Sequence, residues 1–350
     1  MPLTAISDTI LDDSSSPERL RSALDDFASL CSDIGGIIPD PSFDGWANDS
    51  LLDSGVAINP QAAAHCVKDY RRSAVFIRGV YAAINSARMR FGDTPVRILY
   101  AGCGPFATLV LPLLGKFSPG ELDLTLLDIH RRSLDSVNQL LEHFGLDNHQ
   151  IHTVQGDACH YQHPGDLHLV IAETMQKSLE QEPQFAVTAN LAPQLCSRGI
   201  FIPEEISVAL CLAHLDSELA MFKQSGKIDY ESLVSAGKRH PLATVFTLSP
   251  KLAAAQLQAA ERNERSSKLE LSATTIEIPR VANLAGFDAL LFTRIQVFSH
   301  YHLQDYEAEI TLPQRCHELS PLAGGDSYKI CYQLGSYPKF AMTRINDCEA

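Results

Sequence analysis

Along this chain, short apolar runs alternate with stretches in which apolar residues recur every three to four positions, a pattern that predicts strands followed by helices. An apolar run at 96–101 stops at Gly102-Cys103-Gly104-Pro105, and a helical pattern over 106–117 follows, the sequence form of a buried strand turning tightly into a helix. The same alternation repeats: a strand at 122–127 ends in Asp128, a helix is predicted over 133–144, a short strand at 151–155 is followed by Gly156-Asp157, and a strand at 167–172 runs into Glu173. Upstream, helices are predicted over 17–31 and 62–89. Between them Gly35, Gly36, Pro39 and Pro41 mark a loop-rich segment to about residue 60 that holds the only tryptophan, Trp46.

The texture changes after Pro203. Runs rich in β-branched and aromatic residues at 206–213, 242–248, 269–278, 289–299, 306–311, 328–334 and 339–345 predict strands, interrupted by helical insertions near 216–237 and 251–265. The predicted organisation is a helical and loop segment over 1–60, a nucleotide-binding α/β unit over 61–203, and a β-barrel-like unit over 204–350.

In an open parallel sheet, ligands bind beyond the carboxyl ends of the strands. Glycine lets the backbone approach a ligand closely, and helix N-termini offer free amides there. Asp128 at the end of the second strand can accept both hydroxyls of a ribose; the alternative is that it only caps the next helix. Asp157 beyond the third strand can take the exocyclic amine of an adenine. Each strand delivers a glycine or a polar residue to one edge, which predicts a continuous cleft.

With these residues in view, the chain resembles the class I S-adenosylmethionine-dependent methyltransferases: Gly102, Cys103 and Gly104 stand in the glycine motif, Asp128 at the ribose position and Asp157 at the adenine position. It departs from the common pattern at Tyr100, where an acid often stands, and at Phe106, where a third glycine often stands. A nicotinamide fingerprint would need glycine where Ala107 lies.

A nearer resemblance lies in Ala172-Glu173-Thr174-Met175-Gln176-Lys177-Ser178-Leu179-Glu180-Gln181-Glu182, followed by Gly199-Ile200-Phe201-Ile202-Pro203. This is similar to the double-glutamate hairpin and the Gly-x-x-x-Pro strand of the arginine N-methyltransferases, with the type II branch nearest through its Gly-x-Gly-Pro turn. It covers about residues 68–212. It implies a Rossmann-like, seven-stranded methyltransferase domain followed by a β-barrel-like domain, S-adenosyl-L-methionine as cofactor, a homodimer, and Glu173 and Glu182 as the catalytic carboxylates. Arg72 matches the family's basic residue in the helix before the glycine motif, with Phe76 as the aromatic after it, and by resemblance holds the carboxylate of the methionine moiety. The family's upstream tyrosine pair has no counterpart between Leu51 and Cys66, and Cys66 stands where members carry Met or Phe. No tryptophan follows Trp46, so the family's His-Trp pair is reduced to His300, His302 or His317 at most.

The chemistry gives a reason for paired carboxylates. A sulfonium donor and a guanidinium acceptor are both cations, and negative charge must offset their repulsion. Fixed carboxylates can also hold the planar guanidinium fork in line with the methyl group. Glu173 could instead be a solvated strand-end residue, and Glu180 and Glu182 a surface charge pair, with Glu180 the competing position for the second acid.

Composition sets outer limits. The 350 residues are 45% hydrophobic, enough for a large core. A net charge of −14 speaks against a nucleic-acid partner and suits a cationic substrate. Nine cysteines without Cys-x-x-Cys spacing speak against a disulfide framework or a zinc site. The absence of a long apolar stretch or a signal-like N-terminus predicts a cytoplasmic protein without a membrane partner. The expected function is methylation of the guanidinium of arginine, free or in a small molecule or peptide. The alternatives are a class I methyltransferase of another metabolite and a non-catalytic scaffold subunit of that fold.

Overall fold

The computed structural model describes residues 2–40, 49–92, 94–146, 149–226, 228–263 and 268–345; Trp46 and part of the predicted loop lie outside them. Helices α1 (Leu3–Leu11) and α2 (Pro17–Gly35) open the chain. Ser16 caps α2 by accepting from the Arg19 amide at 3.3 Å, and Gly36, left-handed at φ 67°, ends it beyond the predicted stop at Cys31. A small hairpin, β1 (Ser50–Leu52) with β2 (Gly55–Ala57), follows.

The single helix predicted over 62–89 is two: α3 (Pro60–His65) and α4 (Tyr70–Phe91). Asp69 breaks it. Its backbone is non-helical (φ −77°, ψ 81°), and its carboxylate accepts from the Arg72 amide at 3.3 Å, so it starts a new helix instead of continuing the old one.

The central sheet contains β3 (Val96–Ala101), β4 (Leu122–Asp128), β5 (Gln150–Gln155), β6 (Leu167–Ala172) and β7 (Leu195–Ile202). Its order is β5-β4-β3-β6-β7, and every pairing is parallel. Alternate residues feed opposite faces. Ile98, Tyr100, Leu124, Leu126, Leu169 and Ile171 join the core under α4 and α6 (Arg131–His143), whereas Leu99, Ala101, Leu127 and Val170 pack on α7 (Gln184–Leu191). This is the Rossmann-like α/β arrangement expected from the strand pattern. Five strands stand where seven were predicted: beyond Pro203 the chain leaves this sheet for an antiparallel one.

The helix predicted over 106–117 is reduced to one turn, α5 (Leu111–Leu114). Ala107 sits at φ 42°, outside helical space, and prolines at 105 and 112 remove amide donors. The glycine turn therefore leads into irregular backbone and not into a long helix N-terminus. Phe27 of α2 meets Phe106 edge to face at 6.5 Å, so the N-terminal helices brace this turn.

The second unit begins with β8 (Glu205–Ala213), then α8 (Leu215–Ser225), α9 (Tyr230–Ser235), β9 (Arg239–Leu248) and α10 (Pro250–Gln258). It continues with β10 (Glu261–Arg262), β11 (Leu269–Glu277), β12 (Asp288–Phe298), β13 (Tyr301–Leu303), β14 (Gln314–Arg315), β15 (Ser327–Gln333) and β16 (Lys339–Arg344). One antiparallel sheet runs β13-β12-β8-β9 with β14 beside β12, and a second runs β10-β11-β15-β16. Phe246 of β9 stacks on Tyr332 of β15 at 4.9 Å, and Tyr332 meets Phe340 of β16 at 5.2 Å, so the sheets share a barrel-like aromatic core. Phe185 of α7 reaches Phe246 at 6.2 Å and ties the two units together.

The strand predicted at 306–311 does not form. Tyr306 is left-handed at φ 68°, its amide donates to Thr311 O at 3.1 Å, and a 3-10 turn spans Glu309–Thr311. Asp305 beside it is buried between Arg239 (2.6 Å) and Arg294 (2.7 Å), which fixes the segment as a loop. Among the described residues no helix is long and apolar enough to cross a membrane.

Candidate functional site

The carboxyl ends of β3, β4, β5 and β6 open into one cleft holding about 1020 Å³ of atom-free space, its mouth included. Its lining contains Arg72, Gly102, Cys103, Gly104, Asp128, Asp157, Glu173 and Glu182, so all of the residues predicted from the sequence as site residues come together. Glu180 is turned away, its carboxylate accepting from the Gln314 amide group. His300, His302 and His317 do not line the cleft.

Gly102 and Gly104 hold φ of 68° and 63°, which a side chain would strain, and a Cβ on Gly102 would come within 2.6 Å of Thr174 Cγ2. The turn is tied to the next strand: Gly104 N donates to Asp128 Oδ2 at 2.9 Å, and His130 N donates to Asp128 Oδ1 at 2.8 Å. Each oxygen of this buried carboxylate keeps a further lone-pair direction for a ligand hydroxyl. Asp157 accepts from Cys159 N at 2.8 Å through Oδ1.

Arg72 and Glu173 form an ion pair in the cleft, their side chains 13% and 10% exposed. Burial works against the charge on Arg72, but Glu173, Cys66 and Asp69 around it together outweigh that and raise its pKa. Burial raises the Glu173 carboxyl despite Arg72, and Glu173 Oε1 is buried with no hydrogen-bond partner. Glu182, almost fully buried, is pushed up to about 8 by burial and by Glu173, against the pull of Arg72. Burial also pushes the Cys66 thiol up to about 11.

The predicted hairpin between the two glutamates is a loop with a single 3-10 turn, Lys177–Leu179. Ser178, Leu179 and Gln181 all have positive φ (59°, 53° and 67°), a costly conformation that persists only where the surroundings enforce it. Here they do. Thr293 accepts from Ser178 N at 2.6 Å, Tyr332 Oη donates to Leu179 O at 2.5 Å, and Gln181 N donates to Pro338 O at 2.8 Å while Val56 N donates to Gln181 O at 2.7 Å.

Sequence reasoning missed two supports of the site. Gln184 accepts from Thr174 N at 2.8 Å and donates to Ala172 O at 3.0 Å, holding the backbone on both sides of Glu173. The available signal was a glutamine at the head of a mostly apolar helical run, Gln184–Leu191; in the fold it is fully buried. The β1–β2 hairpin walls the cleft through Leu52, Val56 and Ala57, and Ser50 Oγ reaches His130 Nε2 at 3.2 Å. Nothing local in the sequence marks that contact.

No protein-family model and no curated protein matches the chain. Among solved structures, it is similar to Arabidopsis thaliana protein arginine methyltransferase 10 in an open conformation, with 11% identity over 77% of this chain and 86% of that one, at a TM-score of 0.47. It is also similar to the Trypanosoma brucei PRMT1 enzyme-prozyme heterotetrameric complex with AdoHcy, with 10% identity over 80% of this chain and 91% of that one, at a TM-score of 0.47.

Proposed function

We propose that this chain is an S-adenosyl-L-methionine-dependent N-methyltransferase whose acceptor is a guanidinium. The observation that carries the reading is the convergence of Glu173 and Glu182 beside Arg72 in a cleft that also holds the glycine turn and Asp128. A methyl donor bound there would supply an electrophilic methyl group on a cationic sulfur. The donor set suits it: Asp128 accepts ribose hydroxyls, Asp157 accepts the adenine amine, and Arg72 pairs with the amino-acid carboxylate.

Arg72 has one guanidinium and two claimants in this scheme. As it turns toward the donor carboxylate, Glu173 is left with two buried oxygens and no cation, a costly state that a guanidinium relieves. Glu182 completes the fork. Burial and Glu173 hold its carboxyl up at about 8, and an acceptor cation beside it would counter that and favour the carboxylate form. Two carboxylates then hold the acceptor in plane and offset the repulsion between two cations.

The reading is tested by incubating the chain with donor labelled in its methyl group and a panel of guanidino compounds, followed by mass spectrometry. Label on a guanidino nitrogen is the expected result. Label on none of them, with donor bound, overturns the acceptor assignment; failure to bind S-adenosylhomocysteine overturns the donor assignment.

A further inference from the structure

A second cavity opens off the cleft and shares Glu182 and Pro183 with it; it holds about 1460 Å³ of atom-free space, its mouth included. One wall is α7, through Phe185, Ala186 and Ala189, and the facing wall is the end of β15 and the turn after it, through Tyr332, Leu334 and Pro338. This middle region is mainly apolar, with Asn190 of α7 also in the lining. The charges are separated along the cavity, with Asp53 and Glu182 at one end and Arg262 and Lys268 among the lining at the other.

The separation follows from the topology. The acidic end is fixed by the β1–β2 hairpin, packed so tightly on the loop that a Cβ on Gly55 would lie 2.7 Å from Pro183 N. The start of β16 is fixed to the same loop, because Gln181 N donates to Pro338 O. From there the sheet runs β16, β15, β11, β10, and Leu334 N donates to Leu269 O at 2.8 Å across the middle step, from the end of β15 to β11. Adjacent strands lie about 4.8 Å apart, so the backbone of Arg262 on β10, three strands from β16, stands roughly 14 Å from the Gln181–Pro338 contact. Asn263 N donates to Lys268 O at 2.8 Å, which keeps Lys268 at the same edge.

We propose that this cavity takes the body of the acceptor, and that the acceptor is a small guanidino compound with an anionic group at its far end, joined through an apolar spacer longer than the stem of arginine. The proposal rests on the guanidinium reading of Glu173 and Glu182. The guanidinium lies at the shared end between the two glutamates, the spacer runs between α7 and β15, and the anion meets Arg262 and Lys268. A carboxylate or phosphate pairs well with a guanidinium fork beside an ammonium. An arginine in a basic protein tail would bring its own cations against the same pair.

The test is calorimetry on the full chain saturated with S-adenosylhomocysteine, using ω-guanidino fatty acids of increasing length and their primary amides. The expected result is that the acids bind more tightly than the equally long amides, by about tenfold at the best length, a typical scale for a charge-assisted pair. The Arg262→Gln/Lys268→Gln variant brings the acid down to the level of the amide, and Arg262→Lys keeps most of the preference. Glu182→Gln weakens acid and amide alike. Equal binding of acid and amide by the wild type overturns the proposal while leaving the guanidinium reading intact, as does tighter binding of arginine-rich peptides than of the acids. No binding of any guanidino compound overturns both.

Discussion

Arg72 and Glu173 are paired across the cleft, from the first turn of α4 to the end of β6, and both are largely shielded from water. Replacing the arginine removes the partner of a buried carboxylate, so Arg72→Met destabilises the fold, by roughly 3–5 kcal/mol on the scale of broken buried pairs. Its ligand effect is separable. Binding of S-adenosylhomocysteine falls much more than binding of adenosine, which has no carboxylate; equal losses would make Arg72 purely structural.

Asp128 joins the glycine turn to the backbone after β4, through Gly104 N and His130 N. Asp128→Ala is expected to weaken S-adenosylhomocysteine by roughly 1–3 kcal/mol, the cost of unmade hydrogen bonds at a buried site. Calorimetry measures it, and unchanged affinity would set the cofactor assignment aside.

The two candidate acids and their neighbour make an internally controlled set. Glu173→Gln and Glu182→Gln keep the shape of the side chain and remove its charge, so turnover of guanidino substrates falls on the order of 100-fold or more, the scale of losing an electrostatic stabiliser. Glu180, bonded to Gln314 outside the cleft, should tolerate the same change. Turnover assays in which Glu180→Gln proves the sensitive variant would reassign the pair.

Glu182 also predicts a pH dependence. Its carboxyl titrates near 8 in the folded chain because of burial and Glu173, against an ordinary value of 4.5. Between those limits the folded state binds the extra proton, so stability falls as pH rises from about 5 to about 8. Thermal unfolding of Glu182→Gln across that window should show a shallower decline than wild type. Parallel curves would mean that Glu182 ionises as an ordinary glutamate does.

Gln184 is expected to act by positioning. Gln184→Leu frees the backbone of Thr174 and lets Glu173 drift, which lowers kcat for guanidino substrates while KM for the donor stays near the wild-type value. Steady-state kinetics separates the two, and a loss confined to the donor KM would assign Gln184 to the cofactor pocket instead.

The parallel core was legible because its strands are mostly short, apolar-rich runs that end at a glycine or an acid, and β6 falls on its predicted bounds, Leu167–Ala172, with Glu173 next. The helix over 106–117 was misread because apolar spacing carries no information about the positive φ of Ala107. The break at Asp69 was hidden for a related reason: an aspartate fits helical polar spacing and also caps a helix, and only the folded chain decides between the two. The site residues could be read where each follows a strand directly. The second cavity could not, since its walls come from residues as distant as Asp53, Phe185, Arg262 and Tyr332.

The backbone of Gln181 is riveted on both sides, to Val56 through its carbonyl and to Pro338 through its amide. A carboxylate mounted on such a fixture has to be approached, because it cannot fold over a guest. Any gate to this site must therefore be a neighbouring wall that moves as a body, with the acid-bearing loop as the stationary jamb.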